Sequence, residues 1–425
     1  MALSTARGER LRRARMQAGL SQGQLADKCE VDLKTIRNWE NGRFRPQQGG
    51  HERLATALKK STIELHNLLG GEYEGAPGDQ CSTSPCPYIE PPARILSRIT
   101  GIDDDPLVQT AAVEALEPYI HEVVNRYECE GPSQLATEVL EQHGFVRRLL
   151  KHMTSTDPRK VRLIEISARL SGLLCYMAVN LGRLSSARAY AVEAYHAADA
   201  IDHDELRAWV RATQSFAEYY AEDYPRAAAL AQEGLRFAGS GSPQAIRLLI
   251  NGQARALAKN GDLQGVERAV GAAYEQLGSI DTPKGMSSCI SFGAYSEARV
   301  ASNAATAYLA LGRTERVLEF AGHAMAVADR SRSVWSQALV RLDTATALIK
   351  ARRPEVHQAI VLASEAMAAV CGRDIESVRR RLSSFADALL ICEQSQATTT
   401  FVEEFRAWTQ TSECLRHQDR TGAER

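Results

Sequence analysis

Residues 31–46, VDLKTIRNWENGRFRP, decide the fold of the N-terminal part of the chain. Asp32 is placed to cap a helix, because its short carboxylate can accept a bond from a free backbone N–H of the first turn. Ile36 and Trp39 lie three residues apart and therefore share one buried face. Gly42 tolerates a left-handed backbone and should end the helix. The stretch predicts a short helix whose other side chains face outward.

The residues just before this stretch predict another short helix. Gly19 closes the helical segment over residues 7–17, and Ser21 can cap the following QGQLADKC because its hydroxyl accepts a free backbone N–H. Leu25 and Ala26 point inward, and the small side chain of Ala26 lets two helices cross closely. Two short helices joined by a tight turn form a helix-turn-helix.

The segment GLSQGQLADKCEVDLKTIRNWENGRFRP resembles the DNA-binding domain of Cro/C1-type (Xre) repressors. The resemblance covers about residues 7–69, with HERLATALKKSTIELHNLL supplying two closing helices. It is specific because many positions fall on the family pattern together: Gly19, Leu20, Ser21, Gln22, Leu25, Ala26, Ile36, Glu40, Asn41, Gly42 and Pro46. It implies a five-helix, lambda-repressor-like domain with a buried ion pair between Arg15 and Glu40.

By this resemblance, the helix over residues 33–40 enters the major groove of double-stranded DNA by its N-terminal end. Lys34 suits guanine O6 and N7, Asn38 can pair with adenine, and Thr35 lies beside them. Leu33 is placed to contact a thymine methyl group. The remaining predicted contacts hold phosphates and set the register: Gln22, Arg37, Asn41, Arg43 and Arg45.

The charge of the chain is divided unevenly. Its 51 Lys and Arg nearly balance its 52 Asp and Glu, for a net charge of −1. Residues 1–70 hold 13 basic and 7 acidic side chains and so carry +6, which leaves −7 on the remainder. A basic head on an acidic body indicates that the head meets an anionic partner.

Nothing in the sequence predicts an enzyme, a cofactor site or a membrane protein. The chain lacks the G-x-x-x-x-G-K-[ST] phosphate loop and the H-E-x-x-H metal pair. Its nine cysteines are scattered, so neither a metal site nor a disulfide is expected. No apolar run approaches the roughly 18 residues that cross a bilayer, and no signal-peptide core is present. We expect a cytoplasmic protein without cofactors.

The chain divides into three predicted parts. Residues 70–93, GGEYEGAPGDQCSTSPCPYIEPPA, are rich in Gly, Pro and Ser and lack periodicity, which is typical of a linker. Residues 1–69 form the helix-turn-helix domain. Residues 94–425 are rich in Ala, Leu, Arg and Glu and lack runs of alternating β-branched residues. The sequence therefore predicts an all-α fold.

Internal repeats are the main signal in residues 94–425. Segments such as AEDYPRAAALAQEGLRFAG and ALGRTERVLEFAGHAMAVAD align with small or slim residues at the same places, which lets helices approach closely. The first such column is Ala187, Ala227, Val266, Val317 and Ala359. A second column follows seven residues later: Ala194, Gly234, Ala273, Ala324 and Ala366. A third lies in the preceding helices: Cys175, Ser215, Ala254, Ala305 and Ala347.

These repeats resemble tetratricopeptide repeats, which stack helical pairs into an α-solenoid. The clearest copy is NAATAYLALGRTERVLEFAGHAMAVAD. The second column steps by 40, 39, 51 and 42 residues, whereas the family repeat has about 34. Longer helices or turns must absorb the excess, and the longest step contains GSIDTPKGMSSCISFG, which predicts a loop.

By the same resemblance, the first helices of the pairs line a ligand-binding wall. Asn303 sits where family members with peptide ligands use Asn on the ligand backbone. The predicted ligand-binding set is Asn303, Asn251, Asn180, Tyr219, Tyr220, Tyr295 and Arg299. The alternative is that the helical tyrosines only pack and that Asn180 only caps a helix end.

An Xre-type head followed by helical repeats resembles the peptide-sensing transcription regulators of Gram-positive bacteria. The resulting hypothesis is a dimeric DNA-binding regulator whose repeat domain, residues 94–425, receives a peptide, a small molecule or a protein. A dimer is expected because one isolated head offers few base contacts. The alternative is a protein-interaction scaffold that its head localises on DNA.

Overall fold

The computed structural model describes residues 11–12, 14–16, 18, 20–29, 31–41, 53–54, 57–58, 95, 106–239, 241–371, 373 and 375–423, without the side chains of residues 106–109 and 411–423. The chain divides into two compact units, Met1–Ser84 and Pro85–Arg425. The boundary between the units falls within residues 70–93, the predicted linker, which lies outside the described residues.

The first unit is built around two short helices, α1 (Gln22–Cys29) and α2 (Leu33–Glu40). Their apolar faces form a small core together with flanking residues: Leu11, Ala14, Leu25, Ala26, Ile36, Trp39 and Leu54. The buried positions on α1 and α2 are those that helical spacing predicts. The predicted helix-turn-helix is confirmed.

Side-chain caps begin both helices, as the sequence predicts. Ser21 Oγ accepts a bond from the Gln24 N–H at 3.1 Å, and Gln24 Oε1 accepts one from the Ser21 N–H at 2.8 Å. This reciprocal pair is a capping box. At the start of α2, Asp32 Oδ1 accepts a bond from the Thr35 N–H at 2.7 Å. Each cap satisfies a backbone donor that has no partner within the helix.

The second unit is helical throughout, with no strand among the residues that the structure describes. Its elements, in chain order, are α3 (Pro106–Glu130), α4 (Pro132–His152), α5 (Lys160–Asn180), α6 (Leu184–Ala200), α7 (Asp204–Tyr220), α8 (Tyr224–Phe237), α9 (Pro243–Arg247), a π-helical segment (Leu248–Ala254), α10 (Arg255–Lys259), α11 (Leu263–Leu277), α12 (Glu297–Ala310), α13 (Thr314–Ala328), α14 (Val334–Lys350), α15 (Val356–Ala369), α16 (Glu376–Cys392) and α17 (Gln396–Ala423).

From α5 onward the helices form consecutive pairs that pack against each other and against the next pair. In the third pair, the first member is the continuous run of α9, the π-helical segment and α10. First members are buried most: α5 is buried at nearly every position from Leu163 onward, whereas α6 buries only four alanines. We call the first members of the pairs the inner layer and the second members the outer layer.

The three columns of small or slim residues lie at the helix contacts, and every member is buried. Gly234 shows why size matters there. A Cβ on Gly234 would lie 2.5 Å from Leu248 Cδ2 and 2.9 Å from Arg211 Cβ, so even alanine would force the helices apart. The predicted helical-repeat architecture is confirmed at these contacts, because small residues permit close crossing.

The turns that follow several of these helices use one left-handed residue two positions after the helix end. Glycine occupies this position in three turns, where Gly182, Gly261 and Gly312 have φ values of 70°, 78° and 68°. Asp202 and Glu222 take the same position with φ values of 53° and 66°. A left-handed backbone costs an L-residue free energy that glycine does not lose.

The helix α5 requires one correction to the sequence analysis. It is long and apolar enough to cross a membrane by length and composition, although the sequence was expected to contain no such run. Within its most apolar window, 89% of the residues are buried inside the second unit. That degree of burial is typical of a core helix in the inner layer.

Candidate functional site

Arg15 and Glu40 form the buried ion pair that the sequence resemblance implies. Arg15 Nε lies 2.6 Å from Glu40 Oε1, and Arg15 Nη2 lies 3.2 Å from Glu40 Oε2. Arg15 Nη1 also donates to the backbone oxygen of Leu20 at 2.7 Å. Removing either partner would leave a buried charge uncompensated. The pair therefore holds α2 against the preceding segment and fixes the direction of its outer face.

The outer face of α2 carries the predicted base-reading side chains. Leu33 is 38% exposed, and Lys34 is exposed beside it. Thr35 and Asn38 are half-buried, so they protrude less from the domain surface than Lys34 does. The structure thus places Leu33, Lys34, Thr35 and Asn38 outside the buried face of α2, which Ile36, Trp39 and Glu40 form.

The predicted phosphate contacts differ in their surroundings. Arg37 and Asn41 are exposed at α2 and its C-terminal end. Gln22 instead donates from Nε2 to Glu40 Oε2 at 2.6 Å. The Gln22 amide is therefore hydrogen-bonded within the domain. The Glu40 carboxylate can accept this bond in addition to those from Arg15. Arg43 and Arg45 lie outside the described residues.

In the second unit, a cavity of about 40 Å³ lies between helices of the inner layer. It brings together most of the predicted ligand residues: Tyr220, Asn251, Tyr295, Arg299 and Asn303. The amide of Asn303 donates to the Arg299 backbone oxygen at 2.9 Å. Tyr219 and Asn180 are not in the lining of this cavity.

Asn180 and Tyr295, two of the predicted ligand residues, have hydrogen-bond partners inside the second unit. Asn180 Nδ2 donates to Tyr127 Oη and to the Tyr176 backbone oxygen, both at 3.2 Å. Tyr295 is wholly buried, and its hydroxyl donates to the Cys289 backbone oxygen at 2.7 Å. Both side chains are buried at helix contacts, where a polar group needs a partner inside the protein.

Arg299, the predicted charge clamp, is paired with Glu128 of α3. Arg299 Nη2 lies 2.7 and 2.8 Å from the two carboxylate oxygens. The same carboxylate accepts bonds from Ser333, from Ser336 at 2.7 Å and from the Cys289 N–H at 2.6 Å. Burial raises the pKa of Glu128, but Arg299 and these donors outweigh it and hold the pKa below its ordinary value.

Two arginines that line the cavity were missed in the sequence, Arg255 and Arg381. Arg255 donates to Asn251 Oδ1 and, at 3.5 Å, to Tyr220 Oη. Its guanidinium carbon lies 4.2 Å from the centre of the Tyr219 ring. Helical spacing from the predicted Asn251 does not indicate Arg255, because the π-helical segment before it shifts the phase of the side chains.

The cavity adjoins a wider depression of about 540 Å³ on the surface of the second unit. The two share Tyr220, Thr306, Ser377 and Arg381, so one is the inward continuation of the other. Tyr219 lines the depression but not the cavity. We call the combined space the inner pocket.

The predicted loop between α11 and α12 packs against the inner layer. Its segment over residues 287–292 offers backbone oxygens to side chains at distances between 2.7 and 3.1 Å. The donors are Arg299, Tyr295, Trp209, Arg247 and Gln244. Ile290 is wholly buried, and the Phe292 ring lies 4.6 Å from the Trp209 ring. Side chains of the unit thus hold this loop by its backbone oxygens.

The described residues do not assemble a hydrolytic site. Ser171 Oγ lies 3.0 Å from His143 Nε2 and 3.1 Å from Glu193 Oε2. Glu193 also approaches the same Nε2, at 3.3 Å, whereas a catalytic triad needs its acid on the other ring nitrogen. Ser171 is wholly buried. Among the residues that the structure describes, no group of three His, Cys, Asp or Glu could hold a metal ion.

Residues 19–23, GLSQG, fit the G-x-S-x-G spacing of a hydrolase nucleophile turn. In that turn the serine stands between a strand and a helix, where its hydroxyl is exposed for attack. Here Ser21 caps α1, and no strand is present among the described residues of the first unit. This spacing therefore serves a helix start.

Comparison with known proteins identifies the first unit. Residues 8–68 match the family model HTH_31, described as a helix-turn-helix domain. This agrees with the predicted limits of about residues 7–69. No curated protein matches the chain.

Solved structures that match the chain include PlcR of Bacillus thuringiensis in complex with the peptide PapR7 and DNA, at 14% identity and a TM-score of 0.33. That match covers 91% of this chain and 99% of PlcR. Apo ComR, a competence regulator from Streptococcus vestibularis, has 12% identity, a TM-score of 0.34 and coverage of 91% and 98%. Apo ComR from S. thermophilus has 12% identity, a TM-score of 0.32 and coverage of 91% and 99%. At these values the similarity does not extend to individual residues.

Proposed function

We propose that this chain, which carries a helix-turn-helix domain over residues 8–68, is a sequence-specific transcriptional regulator controlled by a ligand of its helical body. The observation that carries the proposal is the outer face of α2. Its readers stand opposite a core of Ile36 and Trp39, and the Arg15–Glu40 pair fixes its direction. A helix presented in this way fits the major groove by its N-terminal end.

In the proposed complex, base edges are read by Lys34, Thr35 and Asn38, and Leu33 contacts a thymine methyl group. Lysine can bond guanine O6 and N7, and asparagine can bond adenine N6 and N7. Arg37, Asn41, Arg43 and Arg45 hold phosphates, which positions the domain without reading sequence. Two copies of the chain bind paired half-sites as a dimer, since a single domain has few base contacts.

The proposed signal, a peptide, a small molecule or a protein, binds in the inner pocket. The pocket is lined by polar and charged side chains from several inner helices, among them Asn251, Arg255, Asn303 and Arg381. A ligand that contacts several helices at once can shift the relative stability of two arrangements of the body. Such a shift would alter the spacing or freedom of the two DNA-binding heads.

Selection of genomic DNA fragments by the full chain, followed by binding measurements across salt, tests the proposal. We expect a specific site and an affinity that falls steeply with salt, because bound phosphates release counterions. Absence of an enriched site, or binding that is insensitive to salt, would overturn the regulator. The scaffold alternative predicts a stoichiometric protein partner that binds the body and leaves the DNA affinity unchanged.

A further inference from the structure

We propose that the inner pocket binds a carboxylate and that the guanidinium of Arg255 receives it. This inference rests on the proposed function, in which the helical body takes up a ligand, and it names the chemistry of that ligand.

Arg255 is a buried cation without an acid. Arg255 is only 5% exposed, and its Nε is buried without a hydrogen-bond partner. Its contacts are the neutral Asn251 and Tyr220 and the ring of Tyr219. Within the described part of the chain, no carboxylate forms an ion pair with it. Burying an unpaired charge is costly, so an anion at this place would be stabilised.

The other two arginines of the cavity are already neutralised. Arg299 is paired with Glu128, and Arg381 Nε lies 2.8 Å from Asp343 Oδ1. Three guanidiniums therefore face two carboxylates, which leaves one positive charge. A single surplus charge matches a monoanion, and the planar fork of Arg255 matches a carboxylate.

Arg247 provides a comparison within the same inner element. It is also wholly buried and also lacks a carboxylate partner among the described residues. However, it donates to the Ser291 backbone oxygen and to Tyr176 Oη, and it lies against the rings of Tyr176 and Trp209. It lines neither part of the inner pocket. Arg247 is thus held by the fold, whereas Arg255 faces an open space.

The backbone next to Arg255 is itself unusual. The segment Leu248–Ala254 is π-helical and separates α9 from α10, which begins at Arg255. Such segments are rare and frequently occur at functional sites, because the wider turn displaces the side chains that follow. Asn251 lies within this segment and accepts a bond from Arg255.

The pKa of Tyr220, beside Arg255, is consistent with a positive electrostatic potential in the cavity. Burial raises the pKa of its phenol, but Arg255 and Arg381 outweigh burial and hold the pKa below its ordinary value. A negative charge is therefore favoured between these two guanidiniums. The geometry of the two arginines and the low pKa of Tyr220 agree.

The size of the pocket limits how the acid enters. The cavity beside Arg255, about 40 Å³, has room for a small head group, whereas the adjoining depression of about 540 Å³ has room for a larger body. A carboxylate would thus lie inside and the rest of the ligand outside. The carboxylate can be the C-terminus of a peptide or the acid group of an organic acid.

The test uses the full chain and four probes: acetate, the neutral acetamide, an N-acetyl tripeptide with a free C-terminus and its C-terminal amide. Binding is measured by calorimetry and by the melting temperature at constant ionic strength. We expect acetate to raise the melting temperature and acetamide to leave it unchanged. A preference for the free tripeptide over acetate would identify a peptide terminus, and binding of acetate alone would identify an organic acid.

The deciding variant is Arg255→Gln, and its control is Arg268→Gln, at an exposed position of α11 that lines no part of the inner pocket. We expect Arg255→Gln to weaken binding of the carboxylate probes about tenfold or more, the loss of one charge-assisted pair. Arg268→Gln should retain binding. Without a probe, Arg255→Gln should melt no lower than the unmodified protein, because it removes an unpaired buried charge.

Three results would overturn the inference: equal binding of acids and amides, no effect of either acid on the melting temperature, or unchanged acid binding by Arg255→Gln. Specific DNA binding by the same preparations separates this inference from the proposed function. If DNA is bound but acids are not, the regulator stands and the carboxylate site fails. If acids are bound but no DNA site is selected, the carboxylate site stands and the proposed regulator fails.

Discussion

Arg299 and Glu128 are joined at 2.7 and 2.8 Å across 171 residues of chain. Glu128 is on α3 and Arg299 is on α12, so the pair ties α3 to the inner layer. Both residues are almost fully buried. The pair also anchors the loop before α12, because Glu128 accepts from Cys289 and Arg299 donates to Ser287.

Glu128→Gln should lower the free energy of unfolding of the full chain by about 3–5 kcal/mol, because it leaves Arg299 as an uncompensated buried charge. Urea denaturation monitored by circular dichroism measures the change. Glu130→Gln is the control on the same helix, since Glu130 pairs with Arg126 at a half-exposed site and should cost at most about 1 kcal/mol. Equal losses in the two variants would contradict a special role for Glu128.

The difference in stability between the unmodified chain and Glu128→Gln should depend on pH. The pKa of Glu128 lies below its ordinary value of 4.5, so the unfolded state binds this proton more readily than the folded state. The stabilisation is therefore fully present above pH 4.5 and is lost as the pH falls through the lower, folded pKa. Urea denaturation at several pH values measures the difference in the free energy of unfolding between the two proteins. A difference that grows as the pH falls would contradict the prediction.

Lys34→Ala should reduce discrimination between the selected DNA site and a scrambled one by about 1–3 kcal/mol, because Lys34 is proposed to read a base. Lys28→Ala removes the same charge from the end of α1 and should weaken binding to both sequences alike. Fluorescence anisotropy with both duplexes, repeated across salt, compares the variants. The assignment of Lys34 fails if its replacement weakens both duplexes equally.

Glu222→Gly should raise the free energy of unfolding by up to about 1 kcal/mol, because glycine relieves the left-handed backbone at φ 66°. The loss of the exposed contact with Arg380 offsets part of this gain. Glu222→Gln is the control, since it removes the charge but keeps a non-glycine residue in the left-handed backbone conformation. The prediction is wrong if the glycine variant is no more stable than the glutamine variant in thermal denaturation.

The sequence predicts those parts of the fold that depend on local spacing. Asp32 and Ser21 cap their helices, and Ile36 and Trp39 are buried, because each effect acts within one or two helical turns. The small-residue columns can also be recognised in the sequence, because the same helix–helix contact recurs in every repeat. An overall helical-repeat architecture follows from these signals alone.

The candidate ligand site was predicted only in part, for physical reasons. The partner of Arg299 lies 171 residues away, and no local pattern indicates such a contact. Arg255 follows a π-helical segment, which shifts the phase of the side chains, so ordinary helical spacing does not show where it points. Asn303 was predicted from the repeat resemblance and Asn251 as a neighbouring helical residue, and both line the cavity.

The segment over residues 287–292 already lies along the inner layer, with its backbone oxygens bound by side chains. Because it is covalently attached, it competes with any extended guest at a high effective concentration that dilution does not change. A long peptide that sought the same donors would first have to displace it. The proposed ligand of the inner pocket would leave Trp209, Gln244 and Arg247 bound to the segment, because these donors line no part of that pocket.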